Sequence, residues 1–112
     1  MIIRFCIIVL GIASFLSPVA AAARTAVENF KQHCVECHGR DGRSQTRLGR
    51  KSRAKDLTDK QNQAKLTDEE VFKTIKNGRM DDKGEEKMEA FGDRLSDREI
   101  SDLVAYVRTF AQ

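Results

Sequence analysis

Cys34, Cys37 and His38 stand in the run Cys34-Val-Glu-Cys37-His38, and no other stretch limits the possible interior of this chain so strongly. Two thiols three positions apart can each add across a vinyl group of one haem, and the histidine directly after them is placed to ligate iron from one face. Cys-x-x-Cys alone also serves redox dithiols and zinc sites. A redox dithiol expects a strand-to-helix context, whereas here the helical pattern precedes the motif. A zinc site built from His33, Cys34, Cys37 and His38 would crowd four ligands into six residues with no distant second pair. The adjacent His38, followed by Gly39, favours haem.

A chain of 112 residues is long enough for one domain. Residues 1–23 are expected to lie outside it, as a cleaved signal peptide. Arg4 precedes an apolar run from Phe5 to Leu16, and Pro18 and the cluster Ala20 to Ala23 follow, the pattern of a secretory leader. Cleavage after Ala22 or Ala23 fits. An uncleaved anchor is the rival reading, but the apolar run falls short of the roughly 18 residues a spanning helix needs. Cys6 leaves with the leader, so the domain from Arg24 to Gln112 keeps only Cys34 and Cys37. An exported domain this short commonly needs a staple beyond its apolar core. A covalently attached haem supplies one, along with buried apolar surface.

Charge is unevenly spread. Arg40 to Lys65 holds nine Lys/Arg against three Asp, while Leu66 to Gln112 holds eight basic and twelve acidic residues. Such a polar molecule can orient a partner through its field. The basic residues are interleaved with Gly and Ser, which reads as a solvated loop and not as a nucleic-acid arm.

Three helix starts share one grammar. Thr25-Ala-Val-Glu28, Thr67-Asp-Glu-Glu70 and Ser96-Asp-Arg-Glu99 are capping boxes, a hydroxyl at the cap and a glutamate three residues on. They predict helices over Ala26 to Glu36, Asp68 to Lys76 and Asp97 to Phe110. Leu66 with Val71 and Leu95 with Ile100 form hydrophobic staples. Val27 and Phe30 are the apolar contacts of the first helix. Ile100, Leu103, Val104, Val107 and Ala111 follow the spacing of one buried stripe in the third, with Phe30 where the two cross. Gly39 to Lys65 and Arg79 to Arg94 show neither helical periodicity nor strand alternation, and loops of that length need an organising centre.

A haem ligated by His38 needs a sixth ligand from the far part of the chain. A thioether there raises the reduction potential relative to a second histidine. The candidates are Met88, in Met88-Glu-Ala-Phe91-Gly92, and Met80, which follows Gly78 among Arg79, Asp81 and Asp82 and reads as solvated. Met88 is the expected ligand, with Phe91 beside it; the plainer alternative is a core gap-filler. Leu57 and Leu48 are expected haem contacts, with ordinary core as the alternative. His33 is expected to be exposed at the helix end. Arg47, Arg50, Lys51, Arg53 and Lys55 read as solvated surface, with one or two able to meet haem propionates.

These residues resemble a class I monohaem cytochrome c. The resemblance runs through Cys34-Val-Glu-Cys37-His38-Gly39, Gly39-Arg-Asp-Gly42, Lys55-Asp-Leu-Thr58, Met88-Glu-Ala-Phe91 and Leu95-Ser-Asp-Arg-Glu-Ile100 leading to Leu103-Val-Ala-Tyr106. It implies an all-α small cytochrome c fold, three main helices plus loops wrapped round one covalently attached haem c. It also implies a one-electron carrier of the periplasm, not an enzyme, that meets redox partner proteins transiently. No nucleic-acid partner and no stable membrane insertion are expected, and the protein should be a monomer or weak dimer. The alternatives are a haem domain or subunit of a larger oxidoreductase, and a gas-binding haem sensor with a displaceable methionine. One departure is visible: many relatives carry proline directly after the ligand methionine, and here that residue is Glu89.

Overall fold

The protein was analysed as a computed structural model, which describes residues 22–112. The expected leader falls almost wholly on residues 1–21, outside the described part, as does Cys6. Six helices and one short hairpin follow in order: α1 Ala26–His33, α2 Val35–His38, α3 Arg47–Ser52, α4 Lys60–Ala64, α5 Asp68–Asn77, β1 Arg79–Met80, β2 Glu86–Met88 and α6 Asp97–Thr109. No described helix is long and apolar enough to cross a membrane.

All three capping boxes form. Thr25, Thr67 and Ser96 each accept from the backbone N–H three residues on, and Glu28, Glu70 and Glu99 each bond back to the cap. Two free N–H groups are thereby satisfied at each helix start, so α1, α5 and α6 begin at fixed residues. The carboxylates of Glu28, Glu70 and Glu99 titrate below their ordinary range, first because of the cap backbone N–H each one accepts.

The core lies among α1, α5 and α6. Phe30, Ile75, Phe91, Leu95, Ile100, Leu103, Val104 and Val107 are buried there. Phe30 sits where α1 meets α6, its ring 5.3 Å from Tyr106 and 5.0 Å from Phe110. Asn29 beside it is fully buried and donates to Glu99 at 3.3 Å, so the carboxylate that caps α6 also ties α6 to α1. A β-carbon at Gly42 would lie 2.7 Å from the Phe110 ring, at φ +75°, so the loop after the Cys/His segment closes against the end of α6 only with glycine there.

Several expectations are corrected. The first helix does not run to Glu36. It ends at His33, and Cys34, at φ −115°, separates it from the single turn of α2. Val27, expected as an apolar contact, is 40 % exposed, and Leu66 is exposed as well. The segment from Gly39 to Lys65 contains α3, capped by Thr46, and α4, capped by Asp59. Both are too short to show a 3.6-residue pattern. The segment after Gly78 forms an antiparallel hairpin, β1 with β2, pairing Arg79 with Met88 across a register irregularity. Strands of two and three residues leave no alternation to read.

Polar groups fasten the middle segment to α6. Gln63 Nε2 donates to the carbonyls of Leu57 and Val107, both at 2.9 Å. Arg108 donates to the Gln63 carbonyl and side-chain oxygen, the Leu66 carbonyl and Asp68 Oδ1. One guanidinium with a fork of fixed donors thus holds the run from Gln63 to Asp68.

Candidate haem site

Cys34, Cys37 and His38 face one cavity of about 360 Å³, within the size usual for a small-molecule or cofactor site. Its walls are mainly apolar: Phe30, Leu57, Val71, Ile75, Phe91, Leu103 and Val107 line it. Met88 lines it too, contributed by the end of β2. The cavity therefore gathers residues far apart in sequence around the cysteine pair.

The proximal wall is positioned by short-range bonds. The turn of α2 is closed by His38 N–H to the Cys34 carbonyl and Gly39 N–H to the Val35 carbonyl. Thr46 Oγ1 donates to the Glu36 and Cys37 carbonyls while accepting from Gly49 N–H, so it caps α3 and seats it on α2 together. A β-carbon at Gly49 would lie 2.5 Å from the Ser44 carbonyl oxygen, which shows how closely α3 approaches.

His38 Nδ1 lies 3.1 Å from the Lys55 carbonyl oxygen and 3.3 Å from Ser44 Oγ. A carbonyl only accepts, so Nδ1 carries the proton and Nε2 keeps its lone pair. Ser44 Oγ donates to the same Lys55 carbonyl at 2.5 Å. Ser44 is buried at φ +60°, a conformation few non-glycine residues adopt. The His38 ring titrates below its ordinary value, because burial disfavours its charged form more than the Lys55 bond favours it. A neutral imidazole with a free Nε2 is the protonation state a metal ligand requires.

Burial, with the nearby charges of Cys37 and Glu89, pushes the Cys34 thiol up to about 12. An activated dithiol carries a lowered value instead. Cys34 is thus a poor redox nucleophile in this setting.

The distal wall is held differently. Gly78, at φ +74°, lets the chain at Met88 pass close by: a β-carbon there would lie 2.5 Å from the Met88 carbonyl oxygen. Past Met88, Phe91 N–H donates to the Ile75 carbonyl and Gly92 N–H to the Lys76 carbonyl, both at 3.0 Å. Phe91 is buried, and its ring meets that of His33 at 5.5 Å, edge on. His33 is thus half buried at the cavity and not exposed as its sequence context led one to expect. Burial, then the positive charges of Arg94 and Arg24, hold it below its usual titration range.

Met80 is 60 % exposed and does not line the cavity. Leu57 does line it. Leu48 does not: it is 36 % exposed on α3, because Gly49 takes the face of that helix that packs on α2. Four cations reach the cavity: Lys55, Arg79, Lys87 and Arg108. Lys87 is engaged with Asp81 and Glu85, and Arg108 with its belt of acceptors, whereas Lys55 and Arg79 form no side-chain ion pair among the described residues.

The chemistry of the donor set fits a haem: two thiols and a neutral imidazole with a free nitrogen on one wall, a thioether on another, and apolar side chains between. Comparison with known proteins agrees. The family model described as cytochrome c oxidase, cbb3-type, subunit III matches residues 21–107. A solved structure of KustC0563, a c-type cytochrome, is 34 % identical with a TM-score of 0.70, over 80 % of this chain and all of that one. A tyrosine-to-phenylalanine mutant of that cytochrome is 36 % identical with a TM-score of 0.68, over 78 % of this chain and 99 % of that one. No curated protein matches the chain. From its motif, its fold and these likenesses, the chain belongs to the cbb3-type cytochrome c family and is a c-type cytochrome.

Proposed function

We propose that this protein is a periplasmic one-electron carrier holding one haem c through thioethers to Cys34 and Cys37, with His38 and Met88 as axial ligands. When bound, the haem would supply an iron able to take up and release one electron. The protein's part is to fix both ligands, exclude water and keep the site unchanged between oxidation states. The Lys55 carbonyl sets the tautomer and ring orientation of His38. Phe30, Leu57, Phe91 and Leu103 supply an apolar wall that favours the less charged, reduced state. Lys55 and Arg79, the cavity cations free of ion pairs among the described residues, would meet the propionates. Partners are redox proteins met through small, transient interfaces, and the protein acts as a monomer or weak dimer.

The observation that carries this reading is that Met88, fifty residues from His38, lines the same cavity as the Cys/His motif while Met80 does not. The test is the optical spectrum of protein matured in a periplasm. A low-spin spectrum with the near-infrared methionine–iron band, lost in Met88→Ala and kept in Met80→Ala, is expected. Loss in Met80→Ala alone would overturn the ligand assignment.

A second reading, in which the domain serves inside a larger oxidoreductase, is favoured by the description of the matching family as an oxidase subunit. Size-exclusion chromatography of the protein from its native membrane and periplasmic fractions separates the two: a haem-staining species of high mass supports the assembly and opposes the free carrier.

A further inference from the structure

We propose that Arg94 is the positioning residue for Met88, bracing the loop that follows it through Glu89, Ala90 and Phe91. This deepens the preceding reading and rests on Met88 as the axial ligand.

The loop after Met88 is anchored at both ends. The hairpin and the close approach to Gly78 fix its start, and the bonds from Phe91 and Gly92 to the last turn of α5 fix its finish. Between them stand Glu89 and Ala90. Among the described residues, the side-chain hydrogen bonds that reach these two come from one group. Arg94 Nη2 donates to Glu89 Oε2 at 2.9 Å and to the Ala90 carbonyl at 3.0 Å. The same guanidinium lies over the Phe91 ring, 4.5 Å from its centroid. Arg94 N–H also donates to the Phe91 carbonyl, so the clamp is seated on the loop it holds.

Three successive residues after Met88 are therefore gripped by one planar cation. Proline at position 89 would restrict the backbone by its ring. Here the restriction comes through space, from a side chain five residues on. Glu89 also lines the cavity, so its charge bears on it. Arg94 offsets that charge where it stands. Lysine could supply the charge but not the fork or the flat face.

Thioether and added imidazole compete for one position, so looser positioning of Met88 is read as tighter apparent imidazole binding. The probe is imidazole, titrated into the ferric holoprotein and followed in the visible spectrum, with far-UV circular dichroism to verify folding. Arg94→Ala should raise apparent imidazole affinity about five- to tenfold, the combined loss of an exposed ion pair and a cation–ring contact. It should also weaken the near-infrared band. Arg94→Lys should fall between wild type and Arg94→Ala. Arg98→Ala, an exposed control on α6, should change nothing.

The decisive arm is the Met88→Ala background, where no thioether competes. There Arg94→Ala should shift imidazole affinity less than about twofold. Equal shifts in both backgrounds would show a general loosening of the fold and overturn the proposal. So would an intact band and unchanged affinity in Arg94→Ala. If the wild type has no band and Met88→Ala leaves imidazole affinity unaltered, the ligand assignment itself fails and the clamp falls with it.

Discussion

The two walls of the cavity are built on opposite plans. The proximal wall, from Cys34 to Lys55, is held by backbone bonds and two hydroxyls: half-buried Thr46 on the end of α2, and buried Ser44 which, with the Lys55 carbonyl, bonds to His38. The distal wall, from Gly78 to Arg94, is a two-stranded hairpin and a loop whose side chains form ion pairs with a solvent-exposed carboxylate, Lys87 with Glu85 and Arg94 with Glu89. Several hydrogen bonds converging on a tight turn leave little freedom, while ion pairs open to solvent typically contribute under about 1 kcal/mol each. Of the two proposed ligands, His38 is thus set rigidly and Met88 rests on a softer support.

The comparison breaks first at the attachment site. Cys37→Ala should sharply reduce covalent haem incorporation, since only Cys34 would remain to form a thioether. Met88→Ala should keep the haem bound through both cysteines. Haem staining of denatured protein, which reports only covalent haem, reads the difference.

Glycines give the next largest contrast. Gly49→Ala drives a β-carbon against carbonyl oxygens of the proximal wall and should cost about 2–4 kcal/mol in denaturant unfolding. Gly84→Ala, at the hairpin turn, meets open space and should cost only the left-handed backbone penalty of about 1–2 kcal/mol. Equal costs would mean that the two walls are equally stiff.

A smaller effect sharpens the proximal side. Ser44 and His38 share the Lys55 carbonyl. Ser44→Ala should leave that acceptor to the imidazole, make His38 a stronger donor and lower the reduction potential. A net hydrogen bond of about 0.5–1 kcal/mol corresponds to roughly 20–40 mV for one electron. Spectroelectrochemical titration measures it.

The smallest effect is acid lability. Glu28, Glu70 and Glu99 all titrate lower in the folded protein than their ordinary 4.5. As pH falls below that value the unfolded chain takes up protons first, so stability drops through the window beneath 4.5. Glu70→Gln and Glu99→Gln act on α5 and α6, which flank the distal loop, and Glu28→Gln on α1, which leads into the proximal motif. Each should flatten the acid limb of the unfolding curve.

What the sequence made legible was local. Ser96-Asp-Arg-Glu99 states a capping box within four residues, and Cys34 to His38 state a Cys-x-x-Cys-His motif within five. Ile100, Leu103, Val104 and Val107 are buried as one stripe, because an i, i+3, i+4 pattern reports the face a helix turns inward, whereas Ala111, expected to extend it, lies past the end of α6 and is only half-buried. What was hidden depends on partners far away. The α3 helix has a single apolar residue, Leu48, and no pattern could tell that buried Gly49 would turn it outward. The hairpin is shorter than any readable alternation. His33 owes its half-buried place to Phe91, fifty-eight positions later. Arg94 resembles any surface arginine until the loop it grips is folded. Met88 was singled out by its neighbours Phe91 and Gly92, and the hairpin that carries it left no trace in the pattern.

The belt of Arg108 and Gln63 has a consequence for how the cage is assembled. The segment it fastens, from Leu57 to Asp68, supplies Leu57, Asn62, Gln63 and Leu66 to the cavity wall, and the arginine that fastens it stands on α6, far along the chain from the Cys-x-x-Cys-His motif. One side chain of α6 is thus the latch on one side of the container. Without that guanidinium the motif would stay intact and the container would still be left with a door that does not shut.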